Sequence, residues 1–246
     1  MIGRRLTERL KQHGWFAVGV DLLVVVVGIL IALQVDAWAQ GRADRRLERV
    51  YLQHLKEDLE IERSRMDAAE RFANTRIAAA RTLSRLAVEP SYATQHPARV
   101  PWAIETASWR SFPRINAYVY GELQSSGRLV LIQSEQLRRR LAEHYTALEH
   151  DARVGEDLSA QQRFDAATAG LLDLEELEAL ERAAGDDRQI SITPQRALDL
   201  ARSFQQRPAA LAELPSLVQH HTFNLRVIRE MRARADSIIR EIDALR

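Results

Sequence analysis

The chain has 246 residues and a formal net charge of +1, with 35 basic and 34 acidic side chains, and this balance gives no electrostatic indication of nucleic-acid binding. It has no cysteine, which excludes disulfides, thiolate metal sites and thiol nucleophiles. Its 10 glycines and 7 prolines fall below the usual shares of roughly 7% and 5%, which predicts few turns and long helices.

The first element in the chain is a strongly apolar run. From Trp15 to Val35, the only charged residue is Asp21. A helix over this run is about 31 Å long, and the hydrocarbon core of a bilayer is about 30 Å thick. Trp15 and Trp38 lie at the two ends of the run, and tryptophan rings prefer the two membrane interfaces. The pattern predicts a transmembrane anchor over residues 1–40, including a short basic tail.

Two alternatives compete with a retained anchor. The uncharged part, Leu22 to Val35, is short, and Ala37-Trp38-Ala39 matches an A-x-A cleavage pattern, so the run resembles a signal peptide. A buried core helix fits least well, because a run that is apolar on every face has no polar side for water.

One stripe of the predicted anchor carries Asp21, Gly28 and Ala32. Gly28-x-x-x-Ala32 is the spacing that allows two membrane helices to approach closely, and an acid on the same stripe would face a partner or water. We expect a homo-oligomer assembled through this face; the simpler interpretation is that Asp21 snorkels to the interface. Basic residues are equally numerous on both sides, and we favour a cytoplasmic N-terminus with the remaining chain in the periplasm.

A heptad pattern predicts that the helix continues to Val88 and ends before Glu89-Pro90. The positions at alternating three- and four-residue spacing are Leu52, Leu55, Leu59, Glu62, Met66, Ala69, Ala73, Arg76, Ala80, Leu83 and Ala87. Only Glu62 and Arg76 interrupt this seam. Pro97 and Pro101 predict an irregular segment next.

Residues 102–120 contain an aromatic cluster, consisting of Trp102, Trp109, Phe112, Tyr118 and Tyr120. Large rings usually fill a core, and a ligand platform is the alternative. A helix is expected to end at Gly127, and residues 129–132 are expected to form a buried connector. Ser134 is a suitable N-cap for a helix through Leu148.

The last helix carries a second seam. Residues 185–187 predict a loop, and Thr193-Pro194 predicts a helix start. The seam positions are Leu217, His221, Asn224, Ile228, Met231, Ala235, Ile238, Ile242 and Leu245. We expect the two seams to pack antiparallel, with Leu52 facing Leu245. Arg76 then lies opposite His221, and Ala73 opposite Asn224, which predicts a buried polar layer.

Catalytic signatures are missing from the sequence. There is no H-E-x-x-H, G-x-S-x-G, S-x-x-K or glycine-rich phosphate loop. Residues 143–151 hold Glu143, His144, Glu149, His150 and Asp151, which with a second helix could bind a divalent metal. We favour solvated helix faces for these residues, and expect no cofactor and no enzymatic activity.

Two segments of the chain carry distinctive motifs. They read Gly28-Ile29-Leu30-Ile31-Ala32-Leu33-Gln34-Val35-Asp36-x-Trp38 with Arg42 and Tyr51-Leu52-x-x-Leu55-x-x-Asp58-Leu59, and Leu123-x-x-Ser126-Gly127-x-Leu129-x-x-Ile132 with Leu137-Arg138-x-x-Leu141 and Tyr145. Both segments resemble a bacterial family of single-pass membrane proteins classed as a domain of unknown function. The family usually has Asn near Trp38, where Ala37, Ala39 and Gln40 stand here. The resemblance implies a retained anchor, but no activity, substrate or catalytic residue.

These patterns predict an all-α protein, in which one N-terminal transmembrane helix continues into a long-helix bundle of residues 41–246 with coiled-coil-like seams. The favoured function is a bacterial inner-membrane scaffold, assembly or signal-relay protein, with a possible envelope protein as partner. A small-ligand sensor built on the aromatic cluster is the first alternative. A metal-dependent enzyme using Glu143 to Asp151 is the second.

Overall fold

The fold is entirely helical over the part of the chain that the structure describes. This computed structural model covers residues 3–109, 113, 117–155, 158–183 and 189–245, and for residues 3–19, 21 and 152–155 it gives the backbone only. The helices are α1 (Gly3–Val88), α2 (Tyr92–Gln95), α3 (Arg99–Thr106), α4 (Tyr118–Ser125), α5 (Glu135–Gly155), α6 (Ser159–Thr168), α7 (Leu174–Arg182), α8 (Pro194–Gln205) and α9 (Pro208–Ala244). A 3₁₀ turn, Arg128–Leu131, joins α4 to α5. The predicted all-α class is confirmed.

Helix α1 is a single element of 86 residues, or about 129 Å at 1.5 Å per residue. No glycine or proline occurs between Arg42 and Glu89, so nothing in that stretch interrupts the backbone hydrogen bonds. The helix ends at Val88, as the Glu89-Pro90 pair predicts, because proline disfavours helical geometry in the residue before it.

Helices α1 and α9 pack along each other in opposite directions. The ion pairs that join them include Lys56 to Asp243 at 2.6 Å, Arg63 to Asp236 at 3.6 Å, and Glu70 to Arg229 at 2.8 Å. Each step of seven residues up α1 matches a step of seven back along α9, which is the heptad repeat of two antiparallel helices. The packing that the two seams predict is therefore present.

Nearly all residues of the two predicted seams are buried. On α1 the exception is Ala87, which is half-buried, while its neighbour Leu86 is buried instead. On α9 the exception is Leu245, which lies just past the helix end with 49% of its surface exposed. The expected facing of Leu52 and Leu245 is therefore not a core contact.

The core is divided along the length of the bundle. A proximal cluster, on the side of the apolar N-terminal segment, joins residues 51–69 of α1 to α4, α5 and residues 227–242 of α9. A distal cluster joins residues 79–86 of α1 to α2, α3, α6, α7, α8 and residues 210–217 of α9. Ala73, Ile77 and Leu225 form a small separate contact between the two. The bundle thus has two hydrophobic halves that share α1 and α9.

Three predicted helix boundaries are confirmed in detail. The hydroxyl of Ser134 accepts a hydrogen bond from the backbone N–H of Leu137 at 3.1 Å. Thr193 accepts one from Arg196 N–H at 3.1 Å, with Pro194 as the first residue of α8. Gly127 follows α4 with φ of +70°, a left-handed conformation that glycine adopts without strain.

Two local expectations were wrong. Residues 129–132 are not a buried connector, since they form the 3₁₀ turn and Val130 is 76% exposed; only Ile132 is buried. The segment around Pro97 and Pro101 is not irregular but contains α2 and α3. Pro101 is the third residue of α3, where the absent N–H would have no helical acceptor. The expected loop at residues 185–187 lies outside the described residues.

Candidate functional site

The apolar segment of α1 stands outside the bundle. Every described side chain from Leu22 to Val35 is exposed, and none of the most apolar stretch of this helix is buried against the rest of the chain. A soluble core helix would be covered by its neighbours, so this helix does not fit that alternative. The segment belongs to a helix that is long and apolar enough to cross a membrane, as the sequence predicts.

The predicted packing face of the anchor is open on this chain. Gly28 and Ala32 are exposed, and a Cβ atom added at Gly28 would meet no other part of the chain within 4 Å. The side chains of Asp21 and Trp15 lie outside the described ones. At the other end, Trp38 is exposed and the Arg42 guanidinium lies 5.4 Å from the centroid of its ring.

Arg76, His221 and Asn224 are all buried, with 4%, 2% and 6% of their surfaces exposed. We call these three residues the polar layer, and they lie between the proximal and distal clusters. His221 Nε2 donates to the carbonyl oxygen of Ala107 at 2.8 Å, just after α3 ends. Asn224 Nδ2 pairs with His220 Nε2 at 2.9 Å.

Burial is the largest influence on the pKa values of His221 and Arg76 in the polar layer. Desolvation lowers the pKa of His221 to about 4, partly opposed by its hydrogen bond to Ala107 and reinforced by the charges of Arg76 and His220. Desolvation also lowers the pKa of Arg76 to about 10. At neutral pH the layer therefore holds a charged arginine beside a neutral histidine.

A second buried polar contact lies inside the proximal cluster. Glu62 Oε1 and His144 Nε2 are 3.0 Å apart, and the two side chains are 3% and 1% exposed. Glu62 Oε2 and His144 Nδ1 have no further protein partner among the described residues. The glutamate that interrupts the α1 seam is thus matched by a histidine from α5.

Two tyrosines adjoin this Glu62–His144 pair. The ring of Tyr145 meets His144 edge-on, with centroids 5.1 Å apart, and stacks on Tyr120 at 4.4 Å. Burial raises the pKa of the Tyr145 hydroxyl, and the carboxylates of Glu62 and Asp58 raise it further. Tyr145 therefore remains neutral at physiological pH.

The proposed metal-binding residues do not converge. Glu143, Glu149 and His150 are exposed, whereas Asp151 accepts a hydrogen bond from Arg234 at 2.8 Å. His144 faces inward, where its ring meets Glu62 of α1, so the expectation of a solvated face was wrong for this residue. Among the described residues, no three histidine, aspartate or glutamate side chains are grouped to hold a metal ion.

The aromatic cluster does not form one platform. Trp102 lies in the distal cluster and Tyr120 in the proximal cluster, while Tyr118 is 73% exposed. Phe112 lies outside the described residues. Half-buried Trp109 donates from Nε1 to Glu105 at 3.4 Å, beside an open cavity of about 520 Å³ that reaches α6 and α7. Filling the core explains Trp102 and Tyr120 but not Tyr118.

Comparison with protein-family models, curated proteins and solved structures finds no match for this chain. The described features are an exposed apolar segment, a long helix that joins it to the bundle, and two buried polar contacts within that bundle. These features suit anchoring and the precise alignment of helices.

Proposed function

We propose that this protein is a single-pass protein of the bacterial inner membrane that acts as a non-catalytic scaffold, assembly or signal-relay module. Residues 1–40 anchor it, and the bundle of residues 41–246 stands in the periplasm. The observation that carries the proposal is the continuity of α1. The helix that exposes its apolar side chains from Leu22 to Val35 also buries Leu55, Leu59 and Leu83 in the bundle. The family resemblance, which implies a retained anchor, supports the same conclusion.

Continuity matters because it removes the flexible linker that usually separates an anchor from its domain. The first buried core residue, Tyr51, follows Val35 on the same uninterrupted helix, about 24 Å further along its axis. A rotation or tilt of the anchor therefore turns the proximal cluster with it. This rigid connection suits a scaffold or a relay better than a freely tethered enzyme.

The topology test uses the full-length chain with a periplasm-active reporter fused after Arg246. We expect an active reporter, a membrane-bound product that resists alkaline extraction, and the mass of the uncleaved chain. An inactive reporter on an intact, membrane-bound chain would contradict the periplasmic placement. A released product shortened by about 39 residues would show cleavage after the A-x-A pattern and contradict the anchor.

The proposal includes self-association of the anchors through the face that contains Asp21, Gly28 and Ala32, besides contacts between the bundle and other envelope proteins. Small residues at four-residue spacing allow close helix contact in lipid. Their side of α1 is not covered by this chain, since Gly28 and Ala32 are exposed. A second copy would therefore find the face accessible.

Replacing Gly28 with leucine is expected to convert the assembled protein into monomers. The added side chain keeps the anchors apart, and a Cβ atom at Gly28 meets no other part of the chain within 4 Å, so we expect folding to be preserved. Energy transfer between labelled full-length chains in vesicles reports assembly. Val26→Leu, which enlarges the opposite side of the helix, is the control and keeps the energy transfer. Equal transfer in Gly28→Leu and the native chain would refute this interface.

A further inference from the structure

Four exposed arginines follow the apolar segment of α1. Arg42, Arg45, Arg46 and Arg49, which we call the arginine face, all have exposed side chains. At 100° per residue they fall within an arc of about 100° on one side of the helix. Trp38 lies within the same arc. The acids of this stretch, Asp36, Asp44 and Glu48, lie outside it, so positive charge is concentrated on one side.

These arginines are unlike the arginines of the bundle. Bundle arginines are commonly neutralised across helices, as in Arg229 with Glu70, Arg234 with Asp151, and Arg196 with Glu176. No carboxylate in the described part of the chain lies within 4 Å of the arginine face. The nearby Glu48 instead accepts a hydrogen bond from the backbone of Gln133 at 2.7 Å. The positive charge of the arginine face is thus left for a ligand outside the chain.

The position of the arginine face along α1 favours a membrane ligand. At 1.5 Å per residue, Arg42 lies about 10 Å and Arg46 about 16 Å beyond Val35. Headgroups extend roughly 5–8 Å beyond the hydrocarbon core, and long arginine side chains can reach back toward them. Membrane helices tilt by about 20° on average. A tilt toward the arginine face brings all four guanidinium groups closer to the headgroups.

We infer that the arginine face binds the phosphate groups of anionic phospholipids in the membrane that holds the anchor. Guanidinium groups donate paired N–H bonds to phosphate oxygens, and Trp38 places its ring at the interface beside Arg42. The lipids hold α1 at a fixed tilt and rotation, which fixes the orientation of the bundle above the membrane. This inference rests on the proposed function, because it requires the anchor to lie in a bilayer.

The test measures lipid selectivity around the full-length chain. The chain is reconstituted into phosphatidylcholine vesicles containing a trace of spin-labelled phosphatidylglycerol or spin-labelled phosphatidylcholine, and the protein-immobilised fraction of each is measured by electron paramagnetic resonance. We expect phosphatidylglycerol to be preferred about five-fold at low salt. A five-fold preference corresponds to about 1 kcal/mol, which is the attraction that one arginine near the membrane surface contributes toward anionic lipids. In 1 M salt, where the Debye length is about 3 Å, the preference is expected to fall toward one.

A quadruple variant locates the effect. R42Q/R45Q/R46Q/R49Q is expected to lose the preference. The control R81Q/R99Q/R202Q/R226Q removes the same charge from exposed positions on the bundle and is expected to keep it. Selectivity near one for the native chain, or equal selectivity in both quadruple variants, would overturn the inference.

Alkaline washing of the same vesicles separates this inference from the proposed function. A chain that stays with the vesicles but shows no preference for phosphatidylglycerol retains its anchor, and only the lipid inference fails. A chain that the wash removes has no anchor, so both proposals fail. Self-association is also compared in pure phosphatidylcholine, which has no anionic lipid. If the native chain self-associates there and R42Q/R45Q/R46Q/R49Q does not, the arginine face binds a second copy instead and the lipid inference is wrong.

Discussion

His144→Ala is expected to lower the free energy of unfolding of the bundle by about 3–5 kcal/mol, because it removes the hydrogen-bond partner of a buried polar group and also deletes a buried ring. Glu62 and His144 are almost completely enclosed in the proximal cluster. Without His144, the Glu62 carboxylate remains in an apolar core with no compensating group. The variant also leaves a cavity beside Tyr145 and adds the loss of packing to the cost of the unsatisfied polar group.

Changing both members of the pair gives the opposite expectation. Glu62→Leu with His144→Leu removes both polar groups and restores apolar volume, so most of the lost stability is expected to return. Urea unfolding followed by circular dichroism in mild detergent measures all three proteins. Asp243→Asn, which weakens the exposed Lys56–Asp243 pair, is the control and is expected to cost less than about 1 kcal/mol. A double variant as unstable as His144→Ala would contradict a cost that arises from the unpaired carboxylate.

Acidification from pH 7.5 to pH 5 is expected to destabilise the native chain by about 2 kcal/mol through His221 alone. The pKa of His221 is about 4 in the folded protein and about 6.5 when unfolded. Between these values the unfolded chain binds a proton that the folded chain does not. The contribution of neutral His221 to the free energy of unfolding is therefore fully present above pH 6.5, and it is lost as the pH falls toward 4.

The matched variant for this prediction is His221→Gln, whose side-chain amide can still donate to the carbonyl of Ala107. Its stability is expected to fall less than that of the native chain over the same pH interval. His54→Gln, at an exposed position on α1, is the control and is expected to retain the native pH dependence. Urea unfolding at several pH values gives these slopes. An unchanged slope in His221→Gln would show that this histidine does not titrate in the window.

The long helices were predictable because their signals are local and repeated. Leu52, Leu55, Leu59, Met66 and Leu83 recur at heptad spacing, and no proline or glycine interrupts them. Helix ends that depend on one residue, such as Ser134, Thr193 or Gly127, were also predictable, since a single side chain or backbone conformation determines each of them. The apolar run near the N-terminus was recognisable from composition alone.

The Glu62–His144 pair was not predicted because it joins two residues 82 positions apart. A signal was nevertheless present. His144 lies on the same side of α5 as buried Leu137, Leu141 and Leu148, so a polar residue within an apolar stripe pointed to a buried partner. Glu62 showed the same anomaly on α1, and pairing the two anomalies would have suggested the contact.

Short helices were harder to predict. Helices α6 and α7 are short, and only a few of their residues, such as Phe164 and Leu180, are buried in the distal cluster. The start of α7 did carry a local signal, since Asp173 and Glu176 form a reciprocal capping box. The 3₁₀ turn at residues 128–131 was missed because an apolar composition does not determine burial; Val130 is exposed despite it.

The pairing of α1 with α9 ties folding to the completion of translation. Lys56 and Asp243 are 187 residues apart, so α1 is synthesised long before the helix that covers its seam. Until α9 emerges, Leu52, Leu55, Leu59 and Met66 have no partner from that helix and form an apolar strip that chaperones and proteases recognise. A chain that stops before residue 208 retains this strip permanently. Premature termination should therefore yield a fragment that is degraded rather than a partly working domain.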